Sequence, residues 1–81
     1  TPPRNPEHAA AEGEQRRQLA QAMQRLGPEE REVLLLRDVE ELSGEEAANA
    51  LGISLAAMKT RLHRARLRLM ALVREGDDDG A

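Results

Sequence analysis

Between Ser54 and Arg74 the chain carries Lys59, Arg61, Arg64, Arg66, Arg68 and Arg74 and not a single acid. Within that stretch Lys59, Thr60, His63 and Arg64 recur at helical spacing. Lysine or arginine can pair with the acceptors on guanine in a major groove, threonine and histidine can meet a base edge or a phosphate, and alanine can touch a thymine methyl. This is chemistry of recognition, with no bond made or broken. The rest of the sequence offers nothing to catalysis: no Ser/His/acid set, no phosphate-binding loop, no cysteine, and two histidines, His8 and His63, far apart in the chain. No enzyme activity, cofactor or metal is therefore expected.

The recognition set needs a helix to present it. At about 100° per residue, counted from Leu55, the apolar positions Leu55, Met58, Leu62, Ala65, Leu69 and Leu72 centre near about 315°. The opposite face, near about 135°, carries Ala56, Thr60, His63, Arg64 and Leu67, with Lys59 on one flank. A helix entering a major groove reads bases with its N-terminal half. Lys59, Thr60, His63 and Arg64 are thus the expected base readers, and Ala56 and Ala57 let the backbone approach. Arg61 and Arg68 lie toward the other flank and are expected to hold phosphates. Arg66 falls beside the apolar stripe and is expected to pair with an acid from another helix.

Upstream of this helix, Ser43-Gly44-Glu45-Glu46 fits a capping box, in which the serine oxygen accepts a backbone N–H three residues on and the glutamate reciprocates. A short helix from there to Leu51 is closed by Gly52, suited to a left-handed position. Ile53 fills the turn, and Ser54 caps the basic helix. Short helix, glycine turn and longer helix make the helix-turn-helix arrangement, with Ala48 as the small residue where the two helices cross and Ile53 and Met58 plugging either side of the turn.

Two earlier helices complete an all-α, four-helix domain. Leu19, Ala22, Met23 and Leu26 form one stripe of a first helix that runs from Glu7 to about Arg25. Gly27-Pro28 ends it, and Pro28-Glu29-Glu30 starts a second, since proline is tolerated at the first helical position and acids suit the positive end of the macrodipole. The run Val33-Leu34-Leu35-Leu36 covers most of a helix circumference and is expected to pack on more than one neighbour. Asp38, Glu40 and Glu41 are expected in an exposed turn. Three prolines in residues 1–6 read as a linker remnant, implying a preceding domain; residues 7–75 form the folded domain; residues 76–81 read as a disordered acidic tail.

Composition narrows the partner. Of 32 apolar residues 13 are alanine, leaving 19 larger side chains for a core, so a domain of this size must be rich in helix or stabilised by a partner. There is no Phe, Trp or Tyr, hence no aromatic platform on which unpaired bases could stack, and duplex is the expected nucleic acid. The net charge of −3 conceals a division into −5 over residues 1–53, +6 over 54–74 and −4 over 75–81. No apolar run approaches the roughly 18–20 residues that span a bilayer, and no signal-peptide pattern opens the chain, so a cytoplasmic location is expected.

Several segments together resemble a known family. They are Leu26-Gly27-Pro28-Glu29-Glu30-Arg31-Glu32-Val33-Leu34-Leu35-Leu36-Arg37, Leu42-Ser43-Gly44-Glu45-Glu46-Ala47-Ala48, Leu51-Gly52-Ile53-Ser54 and Met58-Lys59-Thr60-Arg61-Leu62-His63-Arg64-Ala65-Arg66. In register over roughly residues 15–73, they resemble the C-terminal domain, region 4, of bacterial RNA polymerase sigma factors of the extracytoplasmic-function type. The resemblance implies a four-helix unit that binds the upstream (minus-thirty-five) promoter element as duplex and docks on the flap of the polymerase beta subunit. It also implies major-groove contacts from Lys59, Thr60, His63 and Arg64, a phosphate contact from Arg37, and regulation by an anti-sigma factor. The chain departs from the family's usual residues at Gly44, Ala47 and Ala57-Met58, where a side chain at 44 could touch phosphate and one at 57 could supply a groove-facing hydroxyl. Two other readings fit the same residues: the DNA-binding domain of a response-regulator-type activator, with a similar Glu-Arg-Glu-Val-Leu segment, and a protein-interaction module bound by an anti-sigma factor.

Overall fold

The computed structural model describes the backbone of residues 6–79 and the side chains of residues 10–76. Four α-helices follow one another: α1 (Pro6–Arg25), α2 (Pro28–Leu34), α3 (Gly44–Leu51) and α4 (Leu55–Asp79). The expected all-α architecture is what folds, but one element was not anticipated. The end of α2 widens into a π-helical turn, Leu35–Val39, in which the Glu40 N–H reaches back to the Leu35 carbonyl.

The helix starts and stops follow the local chemistry. Gly27 caps α2, and the Glu30 carboxylate accepts the Gly27 N–H at 3.0 Å. Arg31, one turn further on, donates to the carbonyls of Met23, Gln24 and Leu26 at 3.0–3.1 Å. Those carbonyls lie at and just past the end of α1, where helical donors run out and only Met23 also accepts a backbone N–H, from Leu26 at 3.3 Å, so a single guanidinium ties the end of α1 to α2. At the head of α3 the capping box forms: Glu46 N–H donates to Ser43 Oγ at 3.1 Å, and Ser43 N–H donates to the Glu46 carboxylate at 3.0 Å. These bonds hold the Glu46 carboxyl below its ordinary pKa, the Ser43 backbone contributing most and its hydroxyl next.

α4 is the spine, touching α1, α2 and α3. Its stripe buries Met58, Leu62, Ala65 and Leu72 against Ala22, Leu26, Val33, Leu34, Ala47 and Ala48. Four of those ten core residues are alanine, and here lies the answer to the shortage of large apolar side chains. With Ala47, Ala48 and Ala65 buried in α3 and α4, small side chains let helices pack closely, and close-packed contact supplies the dispersion attraction.

Three apolar expectations are corrected. Leu19 lies on the α1 stripe yet is 47% exposed, because it lies toward a shallow groove lined by Leu69, Met70 and Val73 instead of the core. Leu35 is also exposed: it opens the π-helical turn while Val33 and Leu34 point inward. Leu55, in the first turn of α4, is partly exposed, its outer methyl lying over Gly44.

Both chain ends also differ from expectation. Residues 1–5 of the linker remnant lie outside the described residues, and Pro6 already begins α1, as a proline can at a first helical position. Helix α4 passes through Gly76 to Asp79, beyond the Arg74 end expected for it and into the segment expected to be disordered. Glycine inside a helix costs only about 1 kcal/mol, and Glu75, bonded to Arg25 of α1 at 3.1 Å, anchors the turn before it. The side chains of 77–79, and residues 80–81 entirely, lie outside the described residues.

Candidate nucleic-acid interface

The joint between α3 and α4 determines how the basic helix is presented. Gly52 takes φ 69°, ψ 32°, the left-handed region, which a side chain with a Cβ resists. Its N–H reaches the Asn49 carbonyl at 3.2 Å, and the Ile53 N–H reaches the Ala48 carbonyl at 3.0 Å. This pair of bonds is a Schellman motif. Ser54 then caps α4, its Oγ accepting the Ala57 N–H at 3.0 Å. Gly44 has a second role: a Cβ there would lie 3.1 Å from Leu55 and 3.3 Å from Met58. Its lack of a side chain is what lets the start of α3 lie against the first turns of α4.

With the joint set, the exposed face of α4 matches the rotation predicted from sequence. Ala56, Ala57, Lys59, Thr60, His63 and Arg64 are all exposed. Among the described residues Lys59, Thr60, His63 and Arg64 make no side-chain hydrogen bond or ion pair. Their polar atoms are uncommitted to the fold.

The other candidates are engaged. Arg61 is partly buried, with its guanidinium 3.9 Å from the Glu29 carboxylate at the head of α2. Arg37 is half-buried: one terminal nitrogen donates to the Leu42 carbonyl, and its Nε is buried without a partner. On one side of the first turns of α4, Arg37 and Lys59 border a depression with Ser43, Gly44 and Glu45. On the other, Arg61 and Arg64 border one with Glu29 and Glu30. This exposed face stands as a ridge between two shallow troughs, each with two cations on its edge.

The expectation for Arg66 holds, and its acid is Asp38. Arg66 Nε donates to Asp38 Oδ2 at 3.1 Å, and the Nη2 bonds the other carboxylate oxygen. Asp38 is not in a free turn, as expected; it belongs to the π-helical segment and ties it to the middle of α4. Hydrogen bonding from Arg66 holds its carboxyl below the ordinary carboxylate pKa, aided by the charges of Arg66 and Arg37 and opposed by partial burial. Because the folded value lies below the unfolded one, the pair stabilises the fold above the unfolded pKa of about 3.9, and that contribution is lost as pH falls through the folded value. Asp38→Asn should cost about 0.5–1 kcal/mol at neutral pH, a gap that closes below about pH 4 in denaturant titrations of the two proteins.

Sequence reasoning missed Arg31, Glu29 and the partner of Arg66. None has a local signature: Asp38 and Arg66 are 28 residues apart, and only the packing of α2 on α4 brings them together.

A family profile described as "Sigma-70, region 4" matches residues 16–69, spanning all of α2 and α3 and most of α4. The chain belongs to the sigma-70 region 4 family. This region 4 domain is 49% identical over 51 residues to the RNA polymerase sigma-E factor of Streptomyces antibioticus, covering 63% of the chain and 28% of that protein. The match to RNA polymerase sigma factor YlaC of Bacillus subtilis is also 49% over 51 residues, covering 63% of the chain and 30% of that protein. To the ECF RNA polymerase sigma factor SigG of Mycobacterium tuberculosis it is 45% identical over 51 residues, 63% of the chain and 14% of that protein. The chain thus spans less than a third of the curated relatives it matches. The resemblance noted in the sequence is therefore sound: this is a region 4 domain of the extracytoplasmic-function type. Membership sets it among non-enzymatic, DNA-binding transcription proteins and favours the sigma reading over a response-regulator activator. No helix among the described residues is long and apolar enough to cross a membrane.

Proposed function

We propose that this region 4 domain reads the upstream, minus-thirty-five promoter element as closed duplex, as one module of an extracytoplasmic-function sigma factor working with RNA polymerase in the cytoplasm. The observation that carries the reading is the uncommitted polar face of α4: Lys59, Thr60, His63 and Arg64 lie exposed in the N-terminal half of a helix fixed by the Schellman turn. In this reading α4 enters the major groove, Ala56 and Ala57 allow its backbone to come near the base edges, and Lys59 and Arg64 take guanine acceptors. Arg37 and Arg61 flank the ridge as phosphate contacts, each able to exchange its present intramolecular partner for a phosphate oxygen.

A second reading, the protein-interaction module, is favoured by a separate observation. The groove where Leu19 meets Leu69, Met70, Val73 and Arg74 leaves Met70 53% exposed, and it lies on the C-terminal half of α4, beyond the base-reading turns. The polymerase beta-subunit flap and an anti-sigma factor are the partners for this end of the domain. Both uses fit on one molecule.

Salt separates them. Duplexes selected by this chain from a random pool should bind with log K falling linearly in log salt, with a slope near about −0.9 for each phosphate neutralised. Single strands should compete poorly, there being no aromatic side chain to stack on. Binding that selects no duplex, or that barely responds to salt, would leave only the interaction reading.

A further inference from the structure

The trough on the Arg61 side of the reading ridge holds two acids of the protein's own, Glu29 and Glu30, from the head of α2. Their roles differ. Glu30 accepts the Gly27 N–H and is part of the helix cap. Glu29 has no such duty: its side chain is 77% exposed, and its one described partner is Arg61, at 3.9 Å. An exposed pair at that distance contributes little to folding. The position of Glu29 matters for another reason: it lines the same trough as Arg61, Thr60 and Arg64.

We infer that Glu29 is an affinity-limiting residue, an internal stand-in for phosphate that occupies Arg61 until a duplex is seated closely enough to displace it. The inference rests on the DNA reading above. A duplex held loosely by its backbone meets a carboxylate beside Arg61, and like charges at such separations repel with an energy that water and salt reduce but do not abolish. A duplex whose base edges engage Thr60, His63 and Arg64 draws α4 into the groove and brings a phosphate near enough to take Arg61 from Glu29. Taking Arg61 breaks the Glu29 pair and leaves the carboxylate close to the phosphates, so the acid weakens close, base-engaged binding more than loose association. It also lowers the number of counterions released on contact, since Arg61 is already partly neutralised in the free protein.

The test uses this chain, its Glu29→Gln, Arg61→Ala and doubly substituted forms, a short random-sequence duplex, and the tightest duplex recovered by selection. Circular dichroism checks that each form is folded; Glu29 is exposed and Gln keeps its shape. Glu29→Gln should tighten binding to the selected duplex by about three- to tenfold near 0.1 M salt and steepen its log–log salt slope by up to about 0.9. Binding to the random duplex should tighten less, so the ratio between the two rises. In the Arg61→Ala background the Gln substitution should have much less effect on either quantity. An unchanged selected-duplex affinity and slope in Glu29→Gln would overturn the inference while leaving DNA reading intact. So would an effect of equal size with and without Arg61, since Glu29 would then act only as a general charge. If the unsubstituted chain bound neither duplex, the DNA reading would fail and this inference with it.

Discussion

Replacing Met58 with alanine should lower folding stability by about 2–5 kcal/mol, the range for deleting a large buried side chain and leaving a cavity. Met58 is 1% exposed and, with Val33, is one of the two largest side chains that are fully buried. It lies where α3 meets α4, its terminal methyl against Gly44. Domains typically hold roughly 0.05–0.15 kcal/mol of stability per residue, so the loss is a large part of what an 81-residue chain has. Chemical denaturation followed by circular dichroism should show the midpoint collapse, whereas Met58→Leu, which keeps the volume, should cost less than about 1.5 kcal/mol. If alanine cost no more than leucine, the α3–α4 joint would be held by the Schellman turn and caps alone, and packing around Met58 would not be what sets the angle of the reading helix.

The second large effect belongs to DNA. Arg64→Ala should weaken binding to a selected duplex by about 1–3 kcal/mol and relax preference at one base pair, the signature of a lost bidentate contact to a base. Stability should hardly move, because Arg64 is exposed and has no partner among the described residues. The pairing of a large binding loss with an unchanged denaturation midpoint separates Arg64 from Met58, whose loss would impair binding only by loosening the joint. A uniform weakening across all sequences would make Arg64 a phosphate contact instead. Unchanged binding would remove it from the interface.

The sequence made the joint legible because each of its parts announces itself locally. Proline at 28, the Ser43–Glu46 box, glycine at 52 and serine at 54 each answer a backbone need that arises within four residues, so one chain suffices to read them. The exposed face of α4 was legible for the same reason, since rotation about one helix requires no knowledge of its neighbours. What stayed hidden depends on distance. The π-helical turn has no composition of its own; it exists together with the Arg37 bond to the Leu42 carbonyl and the Arg66 grip on Asp38, and the second is known only once α2 lies on α4. Periodicity likewise put Leu19 on the right face of α1 but could not say that the core ends before reaching it. The Glu29–Arg61 approach is a tertiary accident of the same kind, invisible until the heads of α2 and α4 are seen together.

The division of labour along α4 has a consequence for how such a domain can change over generations. Residues that hold the fold and residues that face outward alternate on one helix yet share no bonds: Met58, Leu62 and Ala65 are buried, while Thr60, His63 and Arg64 are exposed and make no side-chain hydrogen bond or ion pair among the described residues. Exchanging any of the latter three leaves no orphaned donor and no cavity behind, so foldability places almost no brake on them. On the proposed DNA reading, a lineage carrying this scaffold can drift through new promoter preferences by substitutions at a few outward positions, with each intermediate still folded. Duplicated genes could diverge in their targets far faster than in their cores.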